Sequence, residues 1–138
     1  MSTAFRELPF GRAVNEALHE ELRRDPNVFV LGEDVGKLGG LFKVTEGLLQ
    51  EFGPERVIDS PISEAAIAGV GIGAAMVGMR PVIEFQFMDF MTIAMDQIVN
   101  HAAKIRYMTG GQVSVPLVMR TPVCGGVSLG AQHSQSLE

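Results

Sequence analysis

Cysteine is almost absent from this chain. Cys124 stands alone among 138 residues, so no internal disulfide can form, and a reducing, cytoplasmic setting is expected. A basic stripe is missing as well. Eleven Lys and Arg are scattered against sixteen acids, for a net charge of −5, with no interleaved aromatics, which argues against nucleic acid as a partner. Long apolar runs are lacking: the uncharged stretch over residues 65–79 is too short and too rich in Gly and Ala to span a bilayer. Residues 1–12 place Arg6, Glu7 and Arg12 around no apolar core, so no secretory signal is expected there. His19, His101 and His133 lie far apart, and neither they nor Cys124 show the paired spacing of metal ligands. No repeat, low-complexity tract or linker interrupts the chain.

What the sequence does contain is aliphatic residues and glycine. A hydrophobic content of 46% can build a sizeable core within one domain, taken as residues 1–138. Several of the sixteen glycines fall inside stretches that read as helix, where each costs about 1 kcal/mol relative to Ala. They predict close approach of a backbone or a ligand. The periodicity predicts an amphipathic helix over 9–24, with Val14, Leu18 and Leu22 on one face and Ala17 beside them. Strands are expected at 28–31, 57–58, 82–85 and 115–119, and helices over 45–52, 63–78 and 89–107. Alternating strands and helices imply an α/β fold: a doubly wound, mostly parallel sheet with helices on both faces. The tail from residue 121 reads as glycine-rich loop. A doubly wound domain is expected to continue past residue 138, so the domain reads as incomplete at its C-terminal end.

In such sheets, ligands gather at the carboxyl ends of the strands. Glu33 follows the first expected strand, Glu64 the second, Gln86 the third, and His133 lies in the loop after the last. Glu64 is the most informative of these. Ser63 reads as an N-cap, which puts Glu64 in the first turn of a nearly uncharged helix, where the dipole favours a negative charge. A carboxylate at the rim of an apolar segment can meet a ligand nitrogen away from water. Two short motifs point elsewhere and fail on context. Gly69-Val70-Gly71-Ile72-Gly73-Ala74 fits a dinucleotide fingerprint, but its glycines lie inside a helix instead of at a strand-to-helix turn. Gly126-Val127-Ser128-Leu129-Gly130 fits a nucleophile elbow, but no strand directly precedes it and no acid lies between Ser128 and His133.

A longer series carries more weight. Gly32-Glu33-Asp34-Val35, Asp59-Ser60-Pro61-Ile62-Ser63-Glu64, Gly78-Met79-Arg80-Pro81, Glu84-Phe85-Gln86-Phe87-Met88-Asp89-Phe90 and Asp96-Gln97-Ile98-Val99-Asn100 occur in order. Ala103-Lys104, Arg106-Tyr107-Met108 and Gln132-His133-Ser134-Gln135-Ser136 complete it. From about Val14 onward the chain closely resembles the β subunit of the thiamine-diphosphate-dependent decarboxylating component of 2-oxoacid dehydrogenase complexes.

The resemblance implies a transketolase-like pyrimidine-binding domain. It assigns to Glu64 a hydrogen bond to the aminopyrimidine of thiamine diphosphate, favouring the tautomer whose nitrogen takes the thiazolium C2 proton. Glu33 matches an acid on a proton route between active sites. Gln86 and Phe90 match positions that bond to and pack against the pyrimidine, and Ile62 a position that lines it. Phe87 reads equally well as plain core. His133 matches a histidine that steers intermediates and the incoming lipoyl group. The family's Gly-Asp-Gly motif for the diphosphate and Mg²⁺ belongs to the α subunit and does not occur here, so half a cofactor site is expected. An α2β2 heterotetramer and a lipoyl-bearing acyltransferase are the implied partners, and the chain alone is expected to be inactive. Pyruvate is the first expected substrate, then a branched-chain 2-oxoacid, then acetoin. With no transit peptide evident, a bacterial or archaeal origin is expected. The rival readings are a module that contributes only subunit contacts, through Gly69, Gly73 and Ala74, and the transketolase or deoxyxylulose-phosphate synthase branch.

Overall fold

The computed structural model describes residues 5–138. Helix α1, Phe10–Arg24, buries Leu18 and Leu22 with Val14 half-covered beside them. Its inner face turns through Asn15, and Ala17 is exposed instead. The Asn15 amide donates to the carbonyls of Val44 (2.8 Å) and Glu46 (3.0 Å), so a polar residue is buried with its donors satisfied. At the other end of α1, the Arg56 guanidinium donates to the carbonyls of Leu22, Asp25 and Val28. The bonds to Leu22 and Asp25 occupy carbonyls at the end of the helix, where intrahelical partners run out, and the third ties the start of the next segment to them.

Strand β1, Val28–Gly32, is buried along its whole length. Its side chains alternate between two cores. Val28 and Val30 meet α1, Val44, Leu48 and Val57, while Phe29 and Leu31 meet Ile67, Ala68, Ile83, Phe85 and Ala94. Both faces are therefore covered, which is why the strand reads as a continuous apolar run. β2 (Val57–Asp59), β3 (Arg80–Glu84) and β4 (Val118–Arg120) complete a parallel sheet in the order β2-β1-β3-β4. β4 starts three residues later than the sequence suggested, because Pro116 cannot donate to a ladder. Helix α2, Leu48–Phe52, is shorter than expected, since Gly47 before it is left-handed at φ 85°. Helix α3, Glu64–Met76, packs on β3 and β1.

The expected long helix over 89–107 is instead three short pieces. A 3₁₀ segment Met88–Ala94, a π segment Gln97–Ala102 and helix α4, Ile105–Met108, follow one another. The Thr92 hydroxyl donates to the Asp89 carbonyl at 2.8 Å, competing for an acceptor that an α-turn would use. Among the described residues no helix is long and apolar enough to cross a membrane.

The chain leaves β1 towards β2 on one side and later returns to β3 on the other. The junction of β1 and β3 is thus the topological switch point, where the loops after the two strands diverge and leave a crevice.

Candidate active site

Two carboxylates meet at that crevice. Glu33 directly follows β1 and Glu64 opens α3; each is buried, at 5% exposure. Glu33 points to the α3 side of the sheet, as its odd-numbered neighbours Phe29 and Leu31 do. Burial, and then the negative charges of Glu64 and Asp34, push the Glu33 carboxyl above its usual range, opposed by the backbone of Ser63. Its Oε1 has no hydrogen-bond partner. Ser63 occupies the N-cap position as expected but makes no side-chain cap bond. It contributes through its backbone: its carbonyl accepts from Ile67 N–H at 2.9 Å.

Across the switch point, the Gln86 amide, just beyond β3, donates to Asp34 Oδ2 at 3.0 Å. Next to it lies an aromatic trio. The His133 ring stands edge-on to Phe87 at 4.9 Å and to Phe90 at 5.2 Å, and the two phenyl rings meet edge-on at 5.9 Å. A histidine in a glycine-rich tail would ordinarily be solvated; this one is half-buried. Ile62, between β2 and α3, leaves its side chain 82% exposed. The structure therefore brings Glu33 to Glu64 and Phe90 to His133, while Gln86 meets Asp34 and Ile62 stands in the open. Asp34 was not singled out from the sequence, although it too directly follows β1. It takes a left-handed φ of 57°, which Asp tolerates better than most residues, and so turns back towards β3.

Behind the crevice the glycine-rich loop after β1 is folded firmly. The Asp59 carboxylate accepts from Gly36 N–H (2.6 Å) and Lys37 N–H (3.1 Å), and Thr45 Oγ1 donates to the Val35 carbonyl (2.7 Å). On the sheet face away from Glu33, fully buried Glu84 pairs with Arg120 on the adjoining strand. Burial raises the Glu84 carboxyl, and the arginine partly offsets this. A cleft of about 570 Å³ runs along α1 past Arg12, His19 and Glu46. It is far from these acids in character: Arg6 and Arg12 pair with Glu16, and Arg23 with Glu51, leaving a solvated surface of matched charges. The two short motifs stay without their contexts. Gly69 to Ala74 lie within α3, and β4 ends at Arg120, well before Gly126.

A family model described as transketolase, pyrimidine binding domain, matches residues 6–138. The chain belongs to that family. Among its relatives, the 2-oxoisovalerate dehydrogenase subunit beta of Bacillus subtilis is 58% identical over 126 residues, which cover 91% of this chain and 38% of the relative. The pyruvate dehydrogenase E1 component subunit beta of Rhizobium meliloti is 52% identical over 123 residues, 89% of this chain and 27% of that protein. A mitochondrial pyruvate dehydrogenase E1 subunit beta-1 of Oryza sativa subsp. japonica is 48% identical over 134 residues, 97% and 36% respectively. This pyrimidine-binding domain thus spans two fifths or less of the length of these relatives. At the switch point the domain places two buried acids and an amide bonded to Asp34, and on the segment after β3 two phenyl rings meet the His133 imidazole edge-on.

Proposed function

We propose that this domain supplies the pyrimidine half of a thiamine diphosphate site in the decarboxylating component of a 2-oxoacid dehydrogenase, as part of its β subunit. The observation that carries the reading is the buried Glu33–Glu64 pair at the switch point, with one Glu33 oxygen lacking a partner. An aminopyrimidine fits that donor set: it offers both a weakly basic ring nitrogen and an N–H to groups shielded from water. When bound, the cofactor supplies a carbon nucleophile that adds to the 2-oxo group and takes up the electrons released with carbon dioxide.

The chain's own residues do the rest. Glu64, at the mouth of an apolar helix, shares a proton with the ring nitrogen. Glu33 lies beside it, its carboxyl pushed above the usual range by burial and then by the charges of Glu64 and Asp34. Gln86 and Phe90 orient the ring, and Phe87 and Phe90 exclude water beside it. Ile62 lines the same ring, its exposed side chain being covered when cofactor and partner are in place. His133 meets the incoming lipoyl group. In this reading the diphosphate and Mg²⁺ are held by an α subunit within an α2β2 assembly, and the acyl group leaves on a lipoyl-bearing acyltransferase.

The substrate class is a 2-oxoacid. The greater identity to the 2-oxoisovalerate enzyme favours a branched-chain acid as a second reading beside pyruvate, and comparing kcat/KM on the two acids separates them. For the proposal itself the test is Glu64→Gln in the assembled enzyme. Shape is kept and the proton-sharing group removed, so turnover should fall about 10²–10⁴-fold with the fold unchanged by circular dichroism. Rates within a few-fold of wild type at saturating cofactor would reject it.

A further inference from the structure

The loop that carries His133 is closed at its neck by two consecutive residues. Met88 N–H donates to the Pro122 carbonyl at 3.1 Å, and Asp89 Oδ1 accepts from Gln135 N–H at 3.2 Å. Among the described residues no other hydrogen bond joins segment 122–135 to the rest of the domain. Between those two ties the backbone is irregular, with left-handed residues at Gly126, Ser128 and Gly130, until a single 3₁₀ turn, Ala131–His133. Asp89 itself is buried at 6% exposure. Its sequence neighbourhood supplies both rings, Phe87 and Phe90, that flank the imidazole. Cys124, within the loop, is buried, and its thiol is pushed up by burial and then by the charge of Asp89.

An acid in the first turn of a helix commonly caps it. Here no side-chain cap bond is made, and the carboxylate reaches a residue 46 positions away. We propose that Asp89 is the positioning residue for His133: by holding Gln135 N–H it keeps the imidazole between Phe87 and Phe90, at the mouth of the site. A buried carboxylate accepting a backbone N–H is a strong, directional tie, and it sits two residues from the ring it must place. The functional side of this inference rests on the proposed role of His133 in acyl transfer; the placement does not.

Carbethoxylation by diethylpyrocarbonate, read at each histidine by peptide mass spectrometry, tests the placement. In Asp89→Ala, His133 should react about tenfold faster, as loss of one charge-assisted bond predicts, while His19 and His101 keep their rates. Asp89→Asn retains an acceptor oxygen and should restore the wild-type rate within twofold. An unchanged His133 rate in a folded Asp89→Ala chain would overturn the inference. Should Asp89→Ala not fold, a backbone ester at Gln135 deletes the same bond from the donor side, and an unchanged rate there overturns it equally. In the assembled enzyme, Asp89→Ala should lower lipoamide-dependent turnover, Asp89→Asn should recover it, and Asp89→Ala should add nothing in a His133→Ala background. A full additional loss in that background would reject positioning through His133. If His133 is freed and turnover holds, the proposed role of His133 falls while the Asp89 assignment stands.

Discussion

Glu33 is the residue whose environment most clearly sets its chemistry. Burial, then Glu64 and Asp34, raise its carboxyl, so the folded chain holds that proton more tightly than the unfolded one. From the ordinary glutamate value of about 4.3 upward, folding takes up a proton, and stability falls as pH rises through the window to the raised value. Glu84 is raised by burial too, so the informative quantity is a difference. Glu33→Gln should give a flatter urea-unfolding profile than wild type across this window, with the variant gaining relative stability on the alkaline side. A variant that keeps the full wild-type slope would show that Glu33 titrates normally. The two acids were legible in the sequence because each follows a short apolar run or opens an uncharged helix, positions that the sheet's geometry turns into one crevice. Asp34 and Asp89 were not legible as partners. Their roles depend on a left-handed turn and on a bond to a residue 46 positions distant, and neither leaves a periodic trace.

At the scale of elements, α3 tests what its glycines are for. A Cβ at Gly71 would lie 2.6 Å from Ile83 Cγ2, a branch of a fully buried strand residue with little room to move. A Cβ at Gly73 would meet nothing within 4 Å. Gly71→Ala should therefore destabilise by about 1–3 kcal/mol through overpacking, outweighing its helical gain. Gly73→Ala should stabilise by up to about 1 kcal/mol from helix propensity alone. Thermal and urea unfolding of the pair decide the matter, and changes of the same sign would refute the packing argument. Within the chain, the expectation that glycines mark a close approach thus holds at Gly71, whereas no other part of the chain approaches Gly73. The same limit explains the segment after β3. Its composition suits a continuous helix, yet Phe87 and Phe90 must face His133 while Ala94 is buried in the core beneath. Tertiary contacts override propensity there, and the winding changes along the segment.

On the proposed function, the whole molecule serves as a recognition surface for part of a ligand. Its crevice offers two acids, one amide and a few apolar side chains, all suited to a small ring. Thiamine diphosphate concentrates its charge at the other end, in the diphosphate and its Mg²⁺. Such groups need backbone N–H cradles or several oxygen ligands on the metal, and among the described residues no group of three His, Cys, Asp or Glu side chains could hold a metal ion. Large apolar side chains are also bare: Ile62 beside the crevice, Val77 after α3, and Tyr107 and Met108 on α4 are each between 69% and 90% exposed. β4 pairs with β3 alone and presents its other edge unpaired. Exposed edges and apolar patches favour association. The 138-residue chain purified without an α subunit should therefore bind thiamine diphosphate and Mg²⁺ weakly or not at all, and should self-associate. Titration calorimetry beside light scattering measures both. Adding the α subunit should bring heat of binding and a defined mass together, since one partner supplies the diphosphate cradle and covers the apolar surface. Micromolar binding by a lone monomer would mean that the crevice is sufficient as it stands, and that the division of the cofactor between two chains is wrong.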